Sequence, residues 1–139
     1  MFFIGRQDDG VTAYEGALKL KEIAYLDASG YFAGELKHGT IALIDPGTWV
    51  VAIITDDKIA NKTLSAVEEV RSRGAKVLVI TNQPLKGDFD TMLLPNAGCD
   101  QLNSLLAVMP LQQLAYSVSV GLGWDPDHPR NLAKSVTVE

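Results

Sequence analysis

A chain of 139 residues with a net charge of −5 is one domain's worth, and should bury about two-thirds of its unfolded surface around a single core. Its 12 Lys and Arg are scattered, which argues against a nucleic-acid partner, and no apolar run approaches the ~18 residues of a membrane span or follows a basic leader. The single Cys99 excludes an internal disulfide and fits a reducing, cytoplasmic setting, with a packing role in core or loop.

The elements alternate in an α/β order. Phe2-Phe3-Ile4, ending at Gly5, reads as a short buried strand, and residues 6–10 read as a loop. A helical pattern runs over 12–26, with Ala13, Ala17, Leu20 and Ala24 as its core stripe. Gly30, Gly34 and Gly39 punctuate 29–43, predicting short helical turns and loop. After an Asp45-Pro46-Gly47 turn, Trp49-Val50-Val51-Ala52-Ile53-Ile54 has no polar alternation and reads as a strand covered on both faces.

A second helix is expected over 59–73, with Leu64, Val67 and Val70 on one side and Gly74 as its stop. Lys76-Val77-Leu78-Val79-Ile80 is the next strand, and Thr91-Met92-Leu93-Leu94, closed by Pro95, is a weaker one. A third long helix covers 102–121, with a kink or break near Met109 because Pro110 lies inside it. Gly121-Leu122-Gly123 reads as that helix's end, not as a dinucleotide motif. Residues 125–133 hold two prolines and neither period, so they begin an irregular tail. The expected fold is a three-layer αβα sandwich around a parallel sheet of four or five strands, flavodoxin-like, over 1–123, with a tail over 124–139.

Three places carry possible chemistry. Glu15, Lys19 and Glu22 are spaced to share one helix face, as surface ion pairs or as the charged lining of a pocket. Lys21 points elsewhere and is expected to be solvated. His38, between a charged run and Gly39, could move one proton near neutral pH or cap a local turn. Lys134, on the tail, could attack a sugar carbonyl if burial lowered its pKa, or could be a solvated charge. His38, His128 and Cys99 show no ligand spacing, so no metal is expected, and His128 is expected to be exposed. Trp49 and Trp124 are read as packing residues. Thr81-Asn82-Gln83 follows a strand's carboxyl end and fits either a pocket wall or a plain turn.

Glu15-Gly16-Ala17-Leu18-Lys19-Leu20-Lys21-Glu22-Ile23, then Gly34-Glu35-Leu36-Lys37-His38-Gly39, and Pro129-Arg130-Asn131-Leu132-Ala133-Lys134-Ser135-Val136-Thr137-Val138-Glu139 together resemble the glucosamine-6-phosphate synthase family. That family is also called glutamine–fructose-6-phosphate aminotransferase (isomerizing). The likeness lies in the second of its two tandem sugar isomerase (SIS) domains; residues 56–103 resemble it in pattern only. The resemblance implies conversion of fructose 6-phosphate and glutamine to glucosamine 6-phosphate and glutamate, without cofactor or metal.

By the same resemblance, His38 opens the sugar ring in the neighbouring subunit's site, which makes the enzyme a homodimer. Lys134 forms a Schiff base at C2, Ala133 contacts substrate, and Glu22, assisted by Lys19, moves a proton from C1 to C2. The family's glutaminase domain and first SIS domain, with its phosphate-binding Ser/Thr loop, have no counterpart here, and Cys99 is in the wrong context to be the glutaminase nucleophile. The chain is therefore expected to be a piece of a longer protein, inactive alone, with an apolar face left for a partner. Two other readings stand beside this one: a non-catalytic phosphosugar-binding SIS module, and a metal-free sugar-phosphate isomerase outside aminosugar synthesis. Lys134 separates them, because a regulatory module has no use for an amine aimed at a carbonyl.

Overall fold

The computed structural model describes residues 1–132. Ala133 and Lys134, two of the expected site residues, lie outside the described residues.

Five strands, β1 (Phe2–Gly5), β2 (Ser29–Phe32), β3 (Trp49–Ile54), β4 (Lys76–Thr81) and β5 (Asp90–Leu93), form one sheet in the order β2-β1-β3-β4-β5. Every pairing is parallel. The order reverses between β1 and β3, as in flavodoxin-like sheets. Among the described residues four α-helices flank it: α1 (Asp8–Ala24), α2 (Ala60–Arg71), α3 (Asp100–Leu106) and α4 (Val108–Gly121).

Alternation along the strands divides two cores. Ile4, Val50, Ala52, Ile54 and Val79 face α2, where Val67 and Val70 meet them. Phe3, Val51, Ile53 and Ile80 face α1 and α4, where Ala13, Ala17, Leu20, Leu111 and Ala115 close the second core. The continuous apolar run of β3 is thus buried on both sides, as its lack of alternation predicts. Gly74, at φ 88, takes the left-handed turn that leads α2 into β4.

Three boundaries differ from expectation. Ser29–Phe32 is an edge strand paired to β1, and only the following Leu36–His38 and Thr40–Leu43 are 3₁₀ turns. Gly30 hides the strand signal, yet it is required there: a Cβ would come within 2.6 Å of the Tyr14 Cα on α1. The first helix starts at Asp8, inside the expected loop, with Asp8 and Asp9 in its first turn facing the positive end of the helix dipole. The expected long C-terminal helix is two helices that meet at Ala107. Pro110 falls in the first turn of α4, where its missing N–H leaves no helical bond unmade.

Candidate active site

Helix α1 presents Glu15, Lys19 and Glu22 on one half-buried stripe. The Lys19 Nζ donates to the Glu22 Oε2 at 2.6 Å and lies 3.6 Å from the Glu15 Oε1. The hydrogen bond to Glu22, with the nearby negative charges of Glu22 and Glu15, raises the Lys19 pKa above its ordinary value of 10.5. Lys19 is therefore a fixed ammonium at neutral pH, hydrogen-bonded to the Glu22 carboxylate. A carboxylate so oriented on a rigid helix is suited to taking and returning a proton.

The chain beyond α4 folds back onto the end of this helix. The Ser119 Oγ donates to the Ile23 carbonyl at 2.7 Å, and the Trp124 N–H donates to the Ser119 carbonyl at 3.0 Å. The Trp124 ring meets Tyr25 edge-on, with centroids 5.4 Å apart and planes at 81°. The Arg130 guanidinium lies 4.1 Å from the Tyr25 ring centroid and 4.9 Å from that of Trp124. The Arg130 backbone N–H donates to the Tyr25 hydroxyl at 2.8 Å. Tyr25 itself ends α1 in the left-handed conformation, φ 57 and ψ 28, which costs a non-glycine residue on the order of 1 kcal/mol. The start of the tail thus sits three residues past Glu22.

His38 is not brought to this stripe within one chain. It ends the Leu36–His38 turn and is exposed; Leu36 is buried in the core beside α2, and the Lys37 Nζ lies 2.6 Å from the Glu69 Oε1 on α2. Glu22 and His38 therefore lie on opposite faces of the sheet.

A second polar cluster occupies the switch point at the carboxyl ends of β1 and β3. The buried Asp9 accepts from the Thr55 N–H at 2.8 Å and from the Thr55 hydroxyl at 2.5 Å, and the hydroxyls of Thr12 and Ser104 are 2.9 Å apart. Burial pushes the Asp9 carboxyl above 3.8, against the opposing pull of its hydrogen bonds to Thr55 and Ser104. The crevice beside it has a volume of about 10 Å³, room for one water at most. This cluster ties α1 to β3 and α3 and leaves no space for a sugar.

The other expected residues are placed as follows. Lys21 is exposed, and His128 is exposed with its Nδ1 2.8 Å from the Asp125 Oδ2. Cys99 is exposed at the start of α3, so the loop reading applies and the core reading does not. Trp49 and Trp124 pack on one side only, being 45% and 41% exposed. Thr81, Asn82 and Gln83 form a turn in which the Gln83 N–H meets the Thr81 Oγ1 at 3.3 Å, with Asn82 buried. Among the described residues no group of three His, Cys, Asp or Glu could hold a metal ion, and no helix there is long and apolar enough to cross a membrane. Tyr25, Trp124 and Arg130 carry no signal in spacing or period, because their meeting depends on a fold-back over 105 residues.

The sequence pattern of the SIS domain matches residues 1–119. The glutamine–fructose-6-phosphate aminotransferase (isomerizing) of Lactiplantibacillus plantarum is 52% identical over 138 residues, and that of Clostridium acetobutylicum is 54% identical over 142. These matches cover 99% and 100% of the chain but 23% of each relative, so the chain spans about a quarter of their length. Among solved structures, the C-terminal domain of the Francisella tularensis glucosamine-fructose-6-phosphate aminotransferase superposes with a TM-score of 0.84 at 38% identity, over 91% of this chain and 37% of that one. The Escherichia coli tagatose-6-phosphate ketose/aldose isomerase shares the fold, with a TM-score of 0.82 at 24% identity over 94% of this chain and 39% of that one.

Proposed function

The chain belongs to the SIS domain family and is homologous to the C-terminal SIS domain of glutamine–fructose-6-phosphate aminotransferase, and from this we propose that it is the sugar-isomerising module of such an enzyme. The whole enzyme would make glucosamine 6-phosphate and glutamate from fructose 6-phosphate and glutamine in the cytoplasm. Residues 1–123 would form the SIS domain and 124–139 an active-site tail. The observation that carries the reading is the Lys19–Glu22 pair, half-buried beside the point where the tail returns to α1.

The proposed chemistry runs through side chains alone. His38 of a second copy transfers the proton that opens the hemiketal ring, because one chain keeps its own His38 across the sheet from Glu22. The site would then belong to a homodimer. The Lys134 amine adds to the C2 ketone and water leaves, giving a Schiff base, with Ala133 against the sugar. Ammonia from a glutaminase domain displaces the lysine and leaves a C2 imine. Glu22, steadied by the Lys19 ammonium, takes a proton from C1 and returns it to C2, while the C1 hydroxyl gives up its proton and the imine nitrogen gains one, which makes the 2-amino aldose. The first SIS domain would hold the phosphate, so the chain alone would make no product.

The test is to reduce the complete enzyme carrying this domain with borohydride in the presence of fructose 6-phosphate. A sugar-phosphate adduct on the peptide containing Lys134 is expected. An adduct on another lysine, or none, would overturn the assignment.

A further inference from the structure

We propose that Arg130, held by Tyr25 and Trp124, is a positioning residue that fixes the root of the tail, so that the tail amine meets a sugar held against Glu22. The inference rests on the reading of Lys134 given above.

The anchor has three independent contacts. The guanidinium sits 4.1 Å from the Tyr25 ring centroid and 4.9 Å from the Trp124 centroid, so two aromatic faces attract one delocalised cation. The Arg130 main chain donates to the Tyr25 hydroxyl at 2.8 Å, which fixes the backbone as well as the side chain. The two rings are themselves set edge-on at 5.4 Å, with Trp124 bonded through its N–H to Ser119 and Ser119 through its hydroxyl to Ile23. The clamp therefore joins the first residues of the tail, Trp124 and Arg130, to the end of α1, with Ser119 of α4 bonded to both.

Its location gives it a use. Tyr25 follows Glu22 by three residues, roughly 4.5 Å along a helix axis. Lys134 follows Arg130 by four residues, and four residues of extended chain span at most ~14 Å. The chain length from the clamp to Lys134 thus allows the amine to approach Glu22, and the clamp sets the origin of that segment. A short tether raises the effective concentration of a nucleophile, and a misplacement of about 1 Å can cost about 100-fold in rate. Tyr25 in a left-handed conformation fits this role, because that turn brings its ring to the end of the helix, under Arg130.

The test uses the complete enzyme carrying this domain, with Arg130→Ala, Arg130→Lys and Tyr25→Phe. Arg130→Ala is expected to lower kcat for glucosamine 6-phosphate formation roughly 10- to 100-fold. KM for fructose 6-phosphate, the glutaminase rate and Tm should stay near wild type. Hydrogen exchange in the peptide over 126–139 should accelerate. Arg130→Lys should fail to rescue, because a compact ammonium does not stack on two rings. Tyr25→Phe, which keeps the ring and loses the hydroxyl, should fall between. Wild-type kcat in Arg130→Ala, with Lys134 trapped by borohydride as fast as before, would overturn the positioning role while leaving the proposed function standing. A parallel fall of kcat, glutaminase rate and Tm would overturn it in favour of a purely structural contact. Absence of any Lys134 adduct in the wild type would remove the function and this inference together.

Discussion

Glu22 and Lys19 make a pair that is half-buried, and its contribution to stability is small: helical pairs of this spacing give about 0.2–0.5 kcal/mol. A catalytic role would be far larger. Glu22→Gln in the complete enzyme is expected to lower glucosamine 6-phosphate formation by roughly 10²- to 10⁴-fold, the usual contribution of a general acid–base group, with the denaturation midpoint nearly unchanged. Steady-state rates and a urea titration decide it; a rate within threefold of wild type would reduce the pair to a surface contact. Asp9 behaves in the opposite way. Its folded-state pKa lies above 3.8, so the native chain binds that proton more tightly than the unfolded chain does. The stability this group contributes is fully present below 3.8 and is lost as pH rises through the folded value. Asn at position 9 can still accept the Thr55 N–H and can donate to the Thr55 hydroxyl. The stability of wild type relative to Asp9→Asn should therefore fall as pH rises from about 4, read from urea midpoints over the acid range. A difference that grows with pH would contradict the assignment.

Packing between elements explains which parts of the fold could be read beforehand. Gly30 lets β2 approach α1 so closely that an added Cβ would lie 2.6 Å from the Tyr14 Cα and 2.8 Å from its N, and helix backbone cannot yield. Gly30→Ala should lose about 1–3 kcal/mol, as an overpacked contact does, with a lower denaturant midpoint and an unchanged m-value. An unaltered midpoint would mean that β2 can move away at no cost. The same glycine explains why β2 is missed from sequence: its signal as a strand is weak because its function is close approach. The buried runs of β3 and β4 are legible because apolar residues on both faces leave no other reading. The start of α1 is not, because Asp8 and Asp9 look like loop residues until the helix dipole and the Thr55 partner are both in place. The α3–α4 break is predicted from Pro110 near Met109, two residues too late, because proline is harmless in the first turn of α4. For the site, the α1 stripe follows from spacing alone. The Arg130 clamp does not, since it depends on where α4 ends and turns.

Across the molecule, one apolar surface is left uncovered among the described residues. Trp49, Leu78, Leu114 and Val118 line a groove of about 330 Å³ on the α4 side of the sheet. Leu105 on α3 and Met109 on α4 are also 62% and 56% exposed. Surface of this kind normally marks an interface. The isolated chain is expected to self-associate, and sedimentation at micromolar concentration should show a dimer or larger species; a monomer at high concentration would count against a buried partner face.

Lys134, proposed as the amine that bonds covalently to the sugar, is probed by the substitution Lys134→Arg in the complete enzyme. Arginine keeps the positive charge and so the attraction to a phosphate, but it stays protonated at working pH and forms no Schiff base. In the variant, glucosamine 6-phosphate formation is expected to fall by several orders of magnitude and the borohydride adduct to disappear, while glutamine hydrolysis continues. A variant that still makes product at close to the wild-type rate would leave Lys134 an ordinary charge and rule out the Schiff base.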